Sequence, residues 1–204
     1  VWSSSIDGEL HNGSANAQDI TQFSLSDLSA GVHAVTLSAT DTSGLVSDSL
    51  ISLRVNTPPA VDAIILSPTP VYSNNILSVS VTTSDADGNT VTNSYAWYED
   101  GILTSFTGTT ISASELDFGE TWVVRVTPND GYIDGAYLEE AVTISNTEPT
   151  ISSVSISSSD GAYEYNNSVL TCSATGSDID GQTLSYTYSW MIDGVYYSGV
   201  SQDL

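Results

Sequence analysis

Two short acidic turns carry the residue types best suited to chemistry in this chain: Asp85-Ala86-Asp87-Gly88-Asn89 and Asp178-Ile179-Asp180-Gly181-Gln182. Alternating carboxylate and amide oxygens, around a glycine that permits a tight bend, suit calcium, which takes about six to eight oxygen ligands. The pattern is half an EF-hand loop. The Glu that such a loop needs at its twelfth position is missing, which excludes an EF-hand. The other oxygens must therefore come from elsewhere in the fold. Asp130 of Asn129-Asp130-Gly131, the linker residue Asn56, and acids such as Asp27, Glu115 and Asp117 are the candidates. The expected ligand sets are Asp85, Asp87, Asn89 and Asp130 for one calcium ion, and Asp178 with Asp180 for another. The competing reading is turn chemistry alone, since Asp and Gly favour turns without any metal.

Other reactive side chains are sparse. The histidines are His11, in the polar loop His11-Asn12-Gly13-Ser14, and His33, in Gly31-Val32-His33, expected half-buried in a sheet. Neither recurs in the repeats described below, so a Ser-His-Asp triad is not expected. Carboxylate pairs in a chain with 25 acids cannot nominate a glycosidase. Tyr186, Tyr188 and Trp190 have the spacing of one strand face, as do Tyr95 and Trp97. Such rows could stack sugars, but a buried core tryptophan is the simpler reading. The single cysteine, Cys172, aligns with Val79 opposite that tryptophan and reads as a small buried hydrophobe. Two sequons, at Asn12 and Asn166, are open to N-glycosylation.

The charge balance removes whole function classes. Asp and Glu number 25 against 2 Lys plus Arg, for a formal net charge of -23, and both cations are arginines, Arg54 and Arg125. No basic patch can neutralise phosphates, so nucleic-acid binding is excluded. Anionic lipid surfaces repel the chain. Schiff-base and lysine isopeptide chemistry have no lysine to use. No apolar run is long enough to span a membrane, and no basic n-region followed by an apolar h-region opens the sequence. With 40% hydrophobic and 9% aromatic residues, the chain has the material for packed cores rather than disorder.

The residues that must position the turns repeat. Trp2, Trp97 and Trp190 recur at about 93 residues, each shortly before an Asp-Gly turn: Asp7-Gly8, Asp100-Gly101 and Asp193-Gly194. The acidic turns precede the second and third tryptophans at equal distance. Asn56-Thr57-Pro58-Pro59 and Asn146-Thr147-Glu148-Pro149 recur likewise. The phase predicts three segments: residues 1–57 as the C-terminal part of a repeat, 58–148 as a complete repeat, and 149–204 as the N-terminal part of a third. A half-repeat cannot bury its own apolar face, so both ends are expected to be labile unless more chain or a neighbour completes them.

Within a repeat the pattern is β throughout. Residues 34–39, 50–55, 76–82 and 122–127 alternate apolar and polar, with Gly, Asp and Asn clusters punctuating them. The only helical hints are Ser24–Leu28 and Ser114–Asp117, each about one turn. The expected fold class is all-β, tandem Ig-like β-sandwiches. Trp97 and Trp190 should be buried against Val79 and Cys172, with Val124 and Val126 on the facing strand, and Val35 and Leu37 in that role in the first segment.

The series Asn-Thr-x-Pro, Asp-x-Asp-Gly, the Tyr95-Ala96-Trp97 strand, Asp100-Gly101, Leu116-Asp117-Phe118-Gly119 and Asn129-Asp130-Gly131 resembles immunoglobulin-like repeats of the PKD and cadherin-like type. Leu28–His33 and Thr40–Leu45 are especially similar to PKD-like repeats. The Trp-x-Phe-Gly-Asp-Gly motif of PKD repeats is absent, and Tyr98-Glu99-Asp100-Gly101 stands in its place. The resemblance implies a cell-surface or extracellular setting. It implies a non-enzymatic structural segment of a stalk, fibre or filament, stiffened by calcium at its junctions, whose partners are neighbouring repeats and copies of itself in fibres. The alternatives are an adhesin for a glycan or surface protein and an accessory module of a secreted hydrolase.

Overall fold

The computed structural model describes residues 1–14, 16, 20–161 and 169–198. Asn166 lies outside the described residues. Fifteen strands are described: β1 Trp2–Ser4, β2 Gly8–His11, β3 Gly31–Thr40, β4 Val46–Val55, β5 Ala60–Ser67, β6 Leu77–Ser84, β7 Thr92–Glu99, β8 Ile102–Leu103, β9 Thr110–Ile111, β10 Thr121–Asn129, β11 Leu138–Thr143, β12 Thr150–Ser158, β13 Leu170–Ser177, β14 Ser189–Ile192 and β15 Val195–Ser198. The only helical turn among the described residues is a 3-10 turn at Ala113–Glu115. Residues 24–28 form none. The protein is all-β, as the period-two patterning requires.

The sheets run β2-β1-β3-β4, β11-β10-β7-β8, β5-β6-β9, β12-β13 and β14-β15. The strands of the first sheet and those of the second follow the same chain logic. In each, the tryptophan strand pairs with the hairpin strand that follows it and with the long strand after the loop. Asp100-Gly101 joins β7 to β8, and Asp193-Gly194 joins β14 to β15, with positive φ at both residues, the geometry that favours Asp-Gly in two-residue turns.

Two compact units emerge: residues 1–65, 80–96 and 125–140 in one, and 66–79, 97–124 and 141–204 in the other. Neither coincides with a segment of the sequence repeat. The second unit holds most of the buried apolar side chains. Val71, Leu77, Trp97, Ile111, Leu116, Trp122, Val124 and Ile144 are all buried there. Trp97 and Trp122 meet edge to face at 6.4 Å, and Trp97 Nε1 donates to Gly108 O at 2.9 Å. Strand β10 alternates buried and half-buried residues without a break. It lies beside β7 in one sheet, so Val124 and Val126 stand on the strand next to that of Trp97 and not on a facing one. Period-two spacing shows which residues point inward but not which sheet a strand joins, hence the difference.

Trp190 is buried as expected, but Cys172 is half-exposed. It sits on β13, paired with β12, whose Ile151, Val154 and Ile156 are also exposed. Tyr186 and Tyr188 precede β14 and do not share a strand with Trp190. In the first unit Val35 is buried and Leu37 half-buried, while Leu50, Ile51 and Leu53 of β4 are exposed.

Candidate functional site

Each acidic turn is built in the same way. The first aspartate accepts the amide of the second: Asp87 N–H to Asp85 Oδ1 at 2.9 Å, and Asp180 N–H to Asp178 Oδ1 at 2.8 Å. The glycine amide then closes the turn on the first aspartate's carbonyl, at 3.2 Å in both cases. Gly88 and Gly181 take positive φ, which glycine adopts without a Cβ clash. The second aspartate turns outward to the Asn-Thr-x-Pro segment. Thr57 N–H donates to Asp87 Oδ2 at 2.7 Å, and Thr147 N–H donates to Asp180 Oδ2 at 2.5 Å. Asn56 and Asn146 each donate to the carbonyl of the threonine that follows, at 3.4 and 3.3 Å. The sequence match between the two places is thus also a geometric one.

The first turn gathers most of its expected partners. Asp85 Oδ1 accepts Asn89 N–H at 3.0 Å and Asn89 Nδ2 at 3.3 Å. Asn89 Nδ2 also reaches Asn56 Oδ1 at 3.5 Å, and Asn56 Nδ2 donates to Asp130 Oδ2 at 2.6 Å. Asp130 is buried, and its Oδ1 accepts Tyr132 and Ile133 amides, both at 2.8 Å. The Asn56 amide, followed by the backbone donors, holds the Asp130 carboxyl below the ordinary aspartate range. After these bonds, Asp85 Oδ2 and Asp87 Oδ1 are buried with no hydrogen-bond partner among the described residues. Two bare carboxylate oxygens in one turn are costly unless a cation or donor reaches them.

The second turn is satisfied differently. The Ser73 hydroxyl, from the loop between β5 and β6, donates to Asp180 Oδ1. Both oxygens of Asp180 are therefore occupied. The Ser73 hydroxyl first, then the Thr147 amide, pull the Asp180 carboxyl below its ordinary range. Among the described residues no group of three or more His, Cys, Asp or Glu side chains is placed to hold a metal ion. A cation at either turn would rely on amide and backbone oxygens beside the carboxylates. Asp85 and Asp87 each leave one oxygen open to such an ion, whereas each Asp180 oxygen already accepts one donor. Of the other acids considered, Glu115 lies at the 3-10 turn and Asp117 N–H donates to Glu120 Oε2 at 2.9 Å.

No protein-family model and no curated protein matches this chain.

Further contacts that the sequence did not single out fasten the first Asn-Thr-x-Pro segment. Arg54, at the end of β4, stacks over the Tyr132 ring at 4.2 Å. Gly135 lies so close to the segment that a Cβ there would sit 1.9 Å from Pro59 O. Gly135 N–H also donates to Pro128 O at 2.8 Å. The second arginine, Arg125, pairs with Glu139 at 2.8 Å and covers Tyr137 at 4.2 Å.

His33 is fully buried, not half-buried. It takes the alternation position that Trp122 holds in the later strand, which explains its depth. Its Nε2–H donates to Ser29 O at 2.7 Å, which leaves Nδ1 to accept the Ser4 hydroxyl at 2.6 Å. Ser4 Oγ itself accepts the amides of Ile6 and Asp7 at 3.0 and 3.1 Å. Asp7 Oδ2 approaches the same ring nitrogen at 3.5 Å. A triad places serine and aspartate on opposite ring nitrogens; here both crowd Nδ1 and the serine is buried. The cluster closes a turn around a core histidine. Asn12 is exposed after β2, a position accessible to glycan transfer.

Proposed function

We propose that this chain is a non-enzymatic structural segment of an extracellular stalk or surface fibre, built from tandem Ig-like repeats. Each Asn-Thr-x-Pro linker is pinned by the acidic turn of the repeat it leads into. The observation that carries the reading is the recurrence of one bond: the linker threonine amide on the second aspartate of Asp-x-Asp-Gly, at 2.7 and 2.5 Å. Nothing about turn formation requires that bond. It restrains the linker, and a restrained linker is what a stalk needs and a flexible tether lacks. The net charge of -23 keeps such a surface hydrated and non-aggregating where salt screens its self-repulsion.

Calcium belongs to the reading at the first junction, where Asp85, Asp87 and Asn89 with Asn56 and Asp130 would hold it. Bound there, the ion would neutralise the two bare carboxylate oxygens and tighten the linker. Titration calorimetry with calcium chloride, beside melting curves with and without chelator, tests this. One binding event and a melting temperature lowered by chelator are expected. No heat at millimolar calcium together with an unchanged melting temperature refutes the calcium component. Surface labelling of intact producing cells with an antibody to residues 1–204 tests the setting, and signal only after permeabilisation refutes it.

A further inference from the structure

We infer that Ser73 is a hydroxyl clamp that closes the second junction without a cation, by docking the β5–β6 loop on the acidic turn that follows. The two junctions share the turn, the linker sequence and the threonine amide bond. They differ in how the second aspartate's other oxygen is met. At the first, Asp87 Oδ1 has no partner among the described residues. At the second, the corresponding free oxygen of Asp180 receives the Ser73 hydroxyl.

The clamp is geometrically complete. Ser73 is 9% exposed, and its Oγ also lies 3.5 Å from Thr147 Oγ1, so hydroxyl, linker and carboxylate meet at one point. Ser73 is held by its loop, since Asn75 N–H donates to Tyr72 O at 3.0 Å and Tyr72 N–H donates to Asn75 Oδ1 at 2.9 Å. Tyr72 also bridges to Ser145, just before the linker, and Ser145 N–H donates to Val71 O at 2.7 Å. The loop is thus tied to the chain on both sides of the linker's start. With an O–H on one oxygen and an N–H on the other, the Asp180 carboxylate has both oxygens met by charge-assisted hydrogen bonds and needs no cation to avoid a bare oxygen. This makes the second junction calcium-independent, whatever the first one does. The contrast between the junctions rests on the proposed calcium reading; the clamp itself does not.

The experiment is amide hydrogen exchange on the 204-residue chain, read at Thr147 and Thr57, in EDTA and in 1 mM calcium chloride. Wild-type Thr147 should exchange slowly in EDTA and be unchanged by calcium. Ser73→Ala should speed Thr147 exchange by about tenfold, the loss of one charge-assisted hydrogen bond, while β10 amides keep their protection. Ser73→Thr retains the hydroxyl and should stay within about threefold of wild type. Unchanged Thr147 exchange in Ser73→Ala, or wild-type protection that appears only with calcium, overturns the clamp. If Ser73→Ala also exposes β10, Ser73→Thr decides: exchange as fast as in the alanine variant overturns it, and near-wild-type exchange supports it. Failure of the calcium reading shows separately, as a Thr57 rate that ignores calcium while Thr147 still responds to Ser73→Ala.

Discussion

Trp97→Ala removes one of the two largest fully buried side chains among the described residues, and its cost follows from its contacts. Truncating a buried tryptophan costs about 3–5 kcal/mol through lost transfer free energy and the cavity left behind. The edge-to-face pairing with Trp122 adds about 0.5–1.5 kcal/mol beyond area. Gly108 O loses its donor, a further cost of about 1 kcal/mol. These overlap, because the ring carries all of them, so about 4–6 kcal/mol is expected. Domain stabilities are about 5–15 kcal/mol, so most of the stability of the surrounding strands should vanish. Trp190→Ala should cost less by about 1 kcal/mol, because Trp190 Nε1 has no partner among the described residues and its ring is 8% exposed. Urea unfolding of both variants, followed by near-UV dichroism and by exchange of β10 amides, gives the two numbers. A Trp97→Ala loss under about 1 kcal/mol, or a larger loss for Trp190→Ala, would refute the packing described.

Gly135→Ala should destabilise the first junction by more than the usual overpacking range of about 1–3 kcal/mol, since the added Cβ meets backbone at Pro59 O; a melting temperature within a degree of wild type would contradict this. Glu99 is held above the ordinary glutamate range by burial and by Glu120, Asp100 and Asp117. The native state therefore keeps a proton that the unfolded chain has already released, and stability falls as pH rises from the ordinary glutamate range through the raised one. Glu99→Gln should flatten that fall and raise the urea midpoint at pH 7; an unchanged pH profile would remove the argument. Asp7 lies below its ordinary range, chiefly through Ser29, so its contribution is present at neutral pH and lost on acidification; Asp7→Asn should shrink the acid-induced loss. Asp85→Ala with Asp87→Ala should abolish the calcium response of the melting curve, and a response that persists places the ion elsewhere.

The strands and turns were legible because their signals are local. Alternation over 122–127 and 76–82 marks β10 and β6, and Asp-Gly pairs mark the hairpins. The acidic turns were legible as turns for the same reason, and repetition exposed the linkers. What could not be read is non-local. Ser73 meets Asp180 across 107 residues and Asn56 meets Asp130 across 74, and a serine in a polar Tyr-Ser-Asn-Asn loop looks like any solvated serine. Gly135 follows an Asp in one more polar turn, and nothing local marks its contact with Pro59. His33 reads as polar and therefore half-exposed, yet Ser4 and Ser29 satisfy both ring nitrogens and permit full burial. The sheet to which β10 belongs depends on pairing partners that alternation does not encode.

The central claim is that the acidic turns immobilise the linkers. Backbone ¹⁵N relaxation of Asn56, Thr57, Asn146 and Thr147, measured in 1 mM calcium beside the strand residues of β6 and β10, tests it most directly. The account predicts linker order parameters near about 0.85, indistinguishable from the strands, and a drop at Thr147 in Asp180→Ala; values under about 0.6 in the wild-type protein would contradict it.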